Sequence, residues 1–434
     1  MAKESFYTAI DLGTSKVCTL IARVGADGEL QVLGLGVVPS QGVEKGLVVN
    51  IREAKEAVAA SVDEARRYLG RGISWAYVGV SGAHVDSISS TGVLSSQKEE
   101  GFVSTEAVAS LVRSATPKVE DGKEVLHVIP RDFSVDGLHG VRNPVGLQAR
   151  QLEVETNVVM ADDDKLRNVR RAVEKAGLDV RGLVLAPLAA GYAVLTEDER
   201  EMGVVLVDIG CGTSDIGIFR GGALWNSACV PVGGFQVTRD LSIALGIPYY
   251  YAEEAKLRWG HAVPSQVDES EEVLIPSFQG SVRHTVKRRE LCLPIAERMT
   301  ETLRLVMAKV YQSGLQRLPA GGVVLTGGSV SLSGMEDLAR QVIPGAVRIG
   351  QPKGLAGLPP EIRKPAFATS VGILLWGIQG QDKQKSVATS SRASGGGTHW
   401  NPINMFKRVG EVASVGSIKG TAASLAAKVK RIYA

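Results

Sequence analysis

One pattern occurs twice in this chain and constrains the fold more than any other feature. Tyr7-Thr-Ala-Ile-Asp-Leu-Gly-Thr-Ser-Lys-Val-Cys-Thr-Leu-Ile-Ala-Arg-Val24 is an apolar, β-branched run, an Asp-x-Gly-Thr-Ser turn and a second apolar run. Val204-Val-Leu-Val-Asp-Ile-Gly-Cys-Gly-Thr-Ser-Asp-Ile-Gly-Ile-Phe219 keeps the same order. Each copy predicts an antiparallel hairpin. Asp11 and Asp208 lie 197 positions apart, well beyond the roughly 20–50 residues of a stacked repeat. The repeated unit is therefore a whole lobe. The 434 residues, more than one ordinary domain holds, divide into two related α/β lobes.

Between and after the hairpins the spacing changes to helical. Glu53 to Leu69, Asp164 to Ala176 and Ile295 to Leu315 carry apolar residues near every third or fourth position. Ser104 precedes an amphipathic run to Arg113 and reads as a helix start. That run lies within residues 85–160, otherwise strand-like and rich in turn residues, which predict a small inserted subdomain. Gly321-Gly-Val-Val-Leu-Thr-Gly-Gly-Ser329 reads as a buried strand ending in Gly-Gly.

Charge separates the two ends of the chain. The total is +3, but residues 381–434 hold nine Lys or Arg against two Asp or Glu, which leaves the remainder at −4. A mildly acidic body does not suit nucleic acid. The N-terminal residues lack a secretory pattern, and no apolar run reaches the ~18–20 residues of a membrane span. Cys18, Cys211, Cys229 and Cys292 form no CxxC pair, so a reduced cytosolic setting without a metal–thiolate site is expected.

The repeated turns suit a phosphate. Gly13, Gly210 and Gly212 let backbone N–H groups approach an anion, and the hydroxyls of Thr14, Ser15, Thr213 and Ser214 add donors. Asp11 and Asp208 would repel bare phosphate. They make sense around a hard cation, Mg²⁺ held through water. Two such hairpins face to face would clamp a triphosphate. One copy alone would read as an ordinary turn; the second copy carries the inference. The turn at Gly327, Gly328 and Ser329 can take a flat base against its backbone.

These two hairpins, with Val323-Val-Leu-Thr-Gly-Gly-Ser329, resemble the phosphate-1, phosphate-2 and adenosine motifs of the actin-like ATPase superfamily. Leu185-Ala-Pro-Leu-Ala-Ala-Gly-Tyr192 and Pro365-Ala-Phe-Ala-Thr-Ser-Val-Gly-Ile373 resemble its two hinge elements. Three further blocks are similar to the FtsA family of bacterial division proteins: Leu195-Thr-Glu-Asp-Glu-Arg-Glu-Met-Gly203, Val232-Gly-Gly-Phe-Gln-Val-Thr-Arg-Asp-Leu-Ser-Ile-Ala-Leu-Gly-Ile247, and Ala252-Glu-Glu-Ala-Lys-Leu-Arg-Trp-Gly260. The resemblance spans roughly residues 5–378 and implies a duplicated, ribonuclease H-like, two-lobe ATPase fold. Its parts would be 1A (1–84 and 161–195), an inserted 1C (85–160), 2A (196–230 and 301–379) and 2B (231–300), then a flexible linker (380–400) and an amphipathic tail (401–434). It implies ATP and Mg²⁺ as ligands, with Gly233 and Gly234 at the phosphates and Glu253 and Lys256 at the ribose and adenine. From the residues alone, Glu253 and Lys256 are equally readable as an exposed helix pair. Asp208 and Asp11 are the candidate catalytic groups, through cation and water positioning.

Two positions depart from the superfamily. Its phosphate-2 run is Asp-x-Gly-Gly-Gly-Thr, and here Cys211 replaces the middle Gly, so that position must tolerate a side chain. Related filament ATPases and chaperones often carry Glu before the Pro of the first hinge, where this chain has Ala186. With nothing evident to orient water, slow turnover is expected, with ATP acting as a clamp between lobes.

The end of the chain is of another kind. Ile418, Ala422, Leu425, Val429, Ile432 and Tyr433 fall on one helical stripe, with Lys428, Lys430 and Arg431 beside it. Upstream, Trp400 and Phe406 accompany Lys407 and Arg408. This composition suits a helix lying on an anionic membrane surface. At ~1 kcal/mol per basic residue a single tail holds weakly, and a polymer of chains gains by avidity. The alternatives are a tail helix that docks on protein and a disordered solubilising tail. A second cluster, Arg283, Lys287, Arg288 and Arg289, could attract an acidic peptide and is equally readable as a solvated helix face; the resemblance implies the C-terminal peptide of FtsZ. The expected role is a filament-forming tether at the cytoplasmic face of the inner membrane, anchoring the division ring and recruiting later division proteins. The rivals are an actin-like scaffold of a pilus or secretion machine, and a small-molecule kinase.

Overall fold

The structure, a computed structural model, describes residues 5–25, 30–67, 69, 72–95, 101–119, 121–276, 283–353 and 358–388. The first lobe contributes strands β1 (Ser5–Leu12), β2 (Lys16–Val24), β3 (Leu30–Pro39), a small ladder of β4 (Val43–Glu44) and β5 (Leu47–Val48), helix α1 (Ile51–Arg66) and β6 (Trp75–Val80). An insertion follows: β7 (Val85–Ser95), α2 (Thr105–Ser114), β8 (Lys123–Val135), β9 (Leu138–Val141) and β10 (Gln151–Asp162). The lobe closes with α3 (Asp163–Lys175), β11 (Asp179–Leu185) and α4 (Ala186–Val194). The second lobe runs through α5 (Glu197–Met202), β12 (Val204–Ile209), β13 (Ser214–Arg220), β14 (Ala223–Val230), α6 (Gly234–Leu245), α7 (Tyr249–Trp259), β15 (Glu272–Pro276), β16 (Arg283–Lys287), α8 (Arg288–Gln312), β17 (Val323–Thr326), α9 (Met335–Val342), β18 (Val347–Ile349) and α10 (Ala368–Ala388).

The repeat read in the sequence is a repeat of topology. One five-stranded sheet has the order β3-β2-β1-β6-β11 and the other β14-β13-β12-β17-β18. In both, the first three strands are antiparallel and the last two join in parallel. The registers agree to the residue: Asp11 faces Cys18 across its hairpin and Asp208 faces Asp215 across its own. Each turn closes alike, with the Gly13 amide donating to the Lys16 carbonyl and the Gly210 amide to that of Thr213.

Helices cover the outer faces. Helices α1 and α3 bury Val58, Val62, Leu166 and Val173 against the first sheet. Helices α6 to α9 do the same on the second with residues such as Leu241, Ala255, Leu303 and Leu338. Local chemistry sets their starts: Asn50 accepts from the Arg52 and Glu53 amides to cap α1, and Ser104 accepts from the Ala107 amide to cap α2. Thr196 and Glu199 form a reciprocal capping box on α5.

Between the two sheets lie α4 and α10, the two hinge-like segments of the sequence. They share one core with the inner faces of both sheets, including Leu20, Leu188, Leu206, Phe219, Phe367 and Leu374. They cross backbone to backbone. A Cβ at Gly372 would lie 1.8 Å from the Ala189 carbonyl oxygen, so only glycine permits this approach.

The insertion forms its own sheet, β7-β10-β8-β9, with α2 packed on it through Val108, Leu111 and Val112. It also grips the second lobe. The Asn157 amide donates to the Leu224 carbonyl at 3.1 Å, and Arg131 donates to the Trp225 carbonyl while stacking on the Trp225 ring. Helix α10 continues to Ala388, so residues 380–388 are helical where the sequence suggested linker. Gln and Lys extend a helix readily once a buried segment has nucleated it. The tail residues Trp400, Phe406, Lys407, Arg408, Leu425, Lys428, Val429, Lys430, Arg431 and Ile432 lie outside the described residues. Among the described residues no helix is long and apolar enough to cross a membrane.

His127 on β8 ties the insertion to the hinge. Its Nε2 accepts from the Leu185 amide, just before α4, at 3.0 Å, and its ring meets Trp376 of α10. Burial lowers its pKa to about 4. The folded protein holds it neutral while the unfolded chain protonates near 6.5, so stability falls as pH drops through that interval. Between pH 7 and pH 5 the parent should lose about 2 kcal/mol more than His127→Gln, which keeps an acceptor without titrating. Denaturant midpoints at the two pH values measure this; equal losses would contradict it.

Candidate functional site

The two hairpin turns meet at one cleft. Its volume is about 270 Å³, and its lining includes Ser15 from the first turn, Cys211 from the second, Gly234, Glu253 and Lys256 from α6 and α7, and Gly328 and Ser329 after β17. Six of the fifteen sequence-predicted nucleotide positions, Ser15, Gly234, Glu253, Lys256, Gly328 and Ser329, thus line one cleft, although they span more than 300 residues of chain.

Each hairpin delivers a half-buried carboxylate to adjacent positions on one helix. Asp11 Oδ2 accepts from the Ser370 hydroxyl at 2.7 Å, and Asp208 Oδ2 accepts from the Thr369 hydroxyl at 2.6 Å. The donors are consecutive residues in the first turn of α10. Burial raises the Asp208 pKa to about 7; Thr369 and Lys16 pull it down, while Asp215 and Asp11 push it up. Burial also raises Asp11, opposed by Lys16 and Ser370. Two adjacent carboxylates that resist ionisation suit a divalent cation. Among the described residues no three His, Cys, Asp or Glu gather as a metal cluster. A Mg²⁺ held at Asp11 and Asp208 would therefore complete its shell with phosphate oxygens and water.

The remaining positions have distinct roles. Thr14 packs against the opposite turn: a Cβ at Gly212 would lie 2.7 Å from its Oγ1, which also accepts from the Gly46 amide. Thr213 is buried and donates to Asp215 at 2.8 Å, so its hydroxyl faces a carboxylate rather than the cleft. The Gly234 and Phe235 amides donate to the Gly210 and Cys211 carbonyls, and the Gly233 amide to Gln236. Gly234 and Phe235 thus hold the second turn in place, while the Gly233 amide is used within its own helix cap, where the resemblance implied that Gly233 and Gly234 approach the phosphates. Ser329 also braces that turn, donating to the Gly210 carbonyl at 2.8 Å. Gly327 has φ +96°, and a Cβ there would lie 2.4 Å from both Asp208 Oδ1 and the Ile209 carbonyl oxygen.

Glu253 and Lys256 are not a solvated helix pair. The Lys256 ammonium donates to Glu253 at 2.7 Å, to Thr238 at 2.8 Å and to the Gly234 carbonyl at 3.3 Å, all at the cleft wall. Cys211 lies outside the positive-φ residues, whose non-glycine members among the described residues are Lys45 and Asp136. The turn therefore accepts the side chain without strain. Burial raises the thiol pKa, which keeps it protonated and slow to react.

Sequence reasoning missed four residues here. Thr369 and Ser370 sit far along the chain, and their hydroxyls carry no signature. Asp215 bridges the lobes, accepting from the Gly82 amide at 3.4 Å. Lys16, two residues beyond the Thr14 position, donates to the Ala366 carbonyl at 2.6 Å and lies over the Phe367 ring. In the basic cluster, Arg288 pairs with Glu271 and donates to the Trp259 carbonyl, while Arg289 pairs with Glu269 and holds the Val267 carbonyl. Arg283 and Lys287 remain exposed on β16.

Comparison with known proteins follows from this geometry. A sequence model described as "Cell division protein FtsA" matches residues 205–372, and one described as "SHS2 domain inserted in FTSA" matches residues 82–160. The chain is 37% identical to the cell division protein FtsA of Pseudomonas aeruginosa, over 88% of this chain and 91% of that protein. It belongs to the FtsA family of cell division proteins. FtsA of Escherichia coli K12 is 36% identical over 90% of this chain and 96% of its own length, and that of Bacillus subtilis 32% over 86% and 84%. Among solved structures, a PilM–PilN type IV pilus biogenesis complex aligns with TM-score 0.60 at 16% identity, covering 87% of this chain and 99% of that chain. MreB5 of Spiroplasma citri bound to ADP aligns with TM-score 0.52 at 11% identity, covering 89% and 99%. At those identities the likeness is one of fold, and the fold is that of the actin-like ATPases.

The positive φ and close contacts make Gly327 the most restrictive position at the cleft. Gly327→Ala should destabilise the fold by about 2–4 kcal/mol, strain and overpacking together, whereas Gly122→Ala, in open space at a similar φ, should cost about 1 kcal/mol. Thermal or denaturant unfolding measures both. Equal effects would contradict the packing described at Asp208.

Proposed function

We propose that this FtsA-family protein binds MgATP between its lobes, assembles into filaments on the cytoplasmic face of the inner membrane, and tethers the FtsZ division ring there. The observation that carries the nucleotide part is the convergence of Asp11 and Asp208, one from each repeated hairpin, on adjacent hydroxyls of one helix beside the cleft. In this reading Ser15, Gly328 and Ser329 contact the nucleotide, with Glu253 and Lys256 at the ribose side. Mg²⁺, when bound, neutralises the phosphates and the two carboxylates together. Ala186 begins α4 and is buried, so the hinge position supplies no carboxylate to orient water. Turnover is accordingly slow, and ATP acts as a clamp.

The membrane part rests on the basic amphipathic sequence of residues 401–434. Monomers hold weakly and filaments firmly, because many tails act together. The FtsZ C-terminal peptide is assigned to the α7–β16–α8 region. There Arg283 and Lys287 offer exposed charge, and Arg288 and Arg289 can exchange Glu271 and Glu269 for an acidic ligand. Other division proteins are recruited by the assembled filament at the septum.

Two linked measurements test this reading. MgATP should slow alkylation of Cys211, which lines the cleft, and Asp208→Ala should abolish the protection. Protein pelleting with anionic liposomes in MgATP should require the residues after Ala388, because a chain ending there keeps α10 whole. Unprotected Cys211 would remove the nucleotide from the account, and equal pelleting of the two chains would remove the tether.

A further inference from the structure

The segment Pro365–Ser370 bonds to both hairpins and to the turn after β17. The Pro365 carbonyl accepts from the Gly327 amide and the Thr326 hydroxyl, and the Ala366 carbonyl from Lys16. Phe367 is fully buried in the core shared by both lobes. Then come Thr369 and Ser370, 8% and 0% exposed, one hydroxyl on each carboxylate. A hydroxyl buried among apolar residues needs a partner, and Ala would fit a helix between two sheets at least as well as Thr or Ser. These two hydroxyls instead divide their attention between lobes: Thr369 serves the second hairpin and Ser370 the first. Neither has been given a role by the nucleotide motifs, which are hairpins and a strand end.

We propose that Thr369 and Ser370 are paired positioning residues that fix the rotamers of Asp208 and Asp11 and so preorganise both carboxylates for one cation. The proposal rests on the MgATP reading for its functional consequence, while the positioning itself belongs to the ligand-free protein. Each hydroxyl leaves the helix on a neighbouring residue, so the two carboxylates keep a fixed relation set by the rigid first turn of α10. A carboxylate that must first be oriented loses affinity for a cation it touches or holds through water. Because α10 also crosses α4 at Gly372 and meets His127 through Trp376, a helix that holds both carboxylates shares in any movement between the lobes.

The test uses the full chain with Thr369→Val, Ser370→Ala and, as a conservative control, Thr369→Ser. In the absence of nucleotide, hydrogen exchange should quicken about tenfold, the size expected for one hydrogen bond to a charged group, and selectively. Ser370→Ala should affect the first turn, read at the Gly13 amide, and Thr369→Val the second, read at the Gly210 amide. Thr369→Ser should match the parent. With a fluorescent ATP analogue, the gain in affinity from Mg²⁺ over EDTA should fall about tenfold in each hydroxyl-deleted variant, with affinity in EDTA unchanged. Exchange that quickens equally in both turns, or in neither, would overturn the proposal, as would an unchanged gain from Mg²⁺. If the parent fails to bind the analogue, the nucleotide reading fails while the exchange measurements still decide the positioning role.

Discussion

The approach of two helices at Gly372 is the constraint on which the remaining structure depends. There α10 lies against the Ala189 carbonyl of α4 with no room for a side chain. That contact sets how near the two sheets stand, since both helices share their core with the inner faces of both lobes. The spacing of the sheets in turn sets how near the hairpin turns stand, and Thr14 and Gly212 are in contact as a result. A cleft able to hold both ends of a small anionic ligand thus follows from a packing detail remote from it. Close-packed interiors transmit such constraints because they deform little.

Electrostatics adds a second layer to the same geometry. Burial disfavours both aspartates as ions, and Asp215 and Asp11 push Asp208 further up. The ligand-free protein answers with neutral hydroxyls and with Lys16, itself held by a backbone carbonyl and an aromatic face. Such a site is poised for a cation in the sense that a divalent charge relieves what burial imposes. The insertion extends this arrangement. Through Asn157 and Arg131 it holds the edge strand of the second lobe, and through His127 it holds the start of α4. The insertion is thus hydrogen-bonded to both lobes.

Much of this was legible in the sequence, for a physical reason. A duplicated Asp-x-Gly…Thr-Ser order leaves a period that no single turn can imitate, so the hairpins and their two aspartates could be read directly. The inserted sheet and the helix start at Ser104 were legible because caps and alternation are local. Thr369, Ser370 and Asp215 were not, because their partners lie far away in sequence and a Ser or Thr hydroxyl has many equivalent uses. The basic cluster illustrates the same limit in reverse: charge counting offered Arg289 to a partner, whereas the chain folds Glu269 and the Val267 carbonyl onto it. Residues 380–388 carry no large apolar side chain except Val387 and so resembled linker, yet they continue a helix that is already anchored.

The central claim is that the two hairpins form one nucleotide site. Isothermal titration of the full chain with MgATP tests it most directly. One ATP per chain is predicted, with binding lost in both Asp11→Ala and Asp208→Ala although the two residues belong to different lobes. No binding by the parent, or loss in one variant with full affinity in the other, would contradict it.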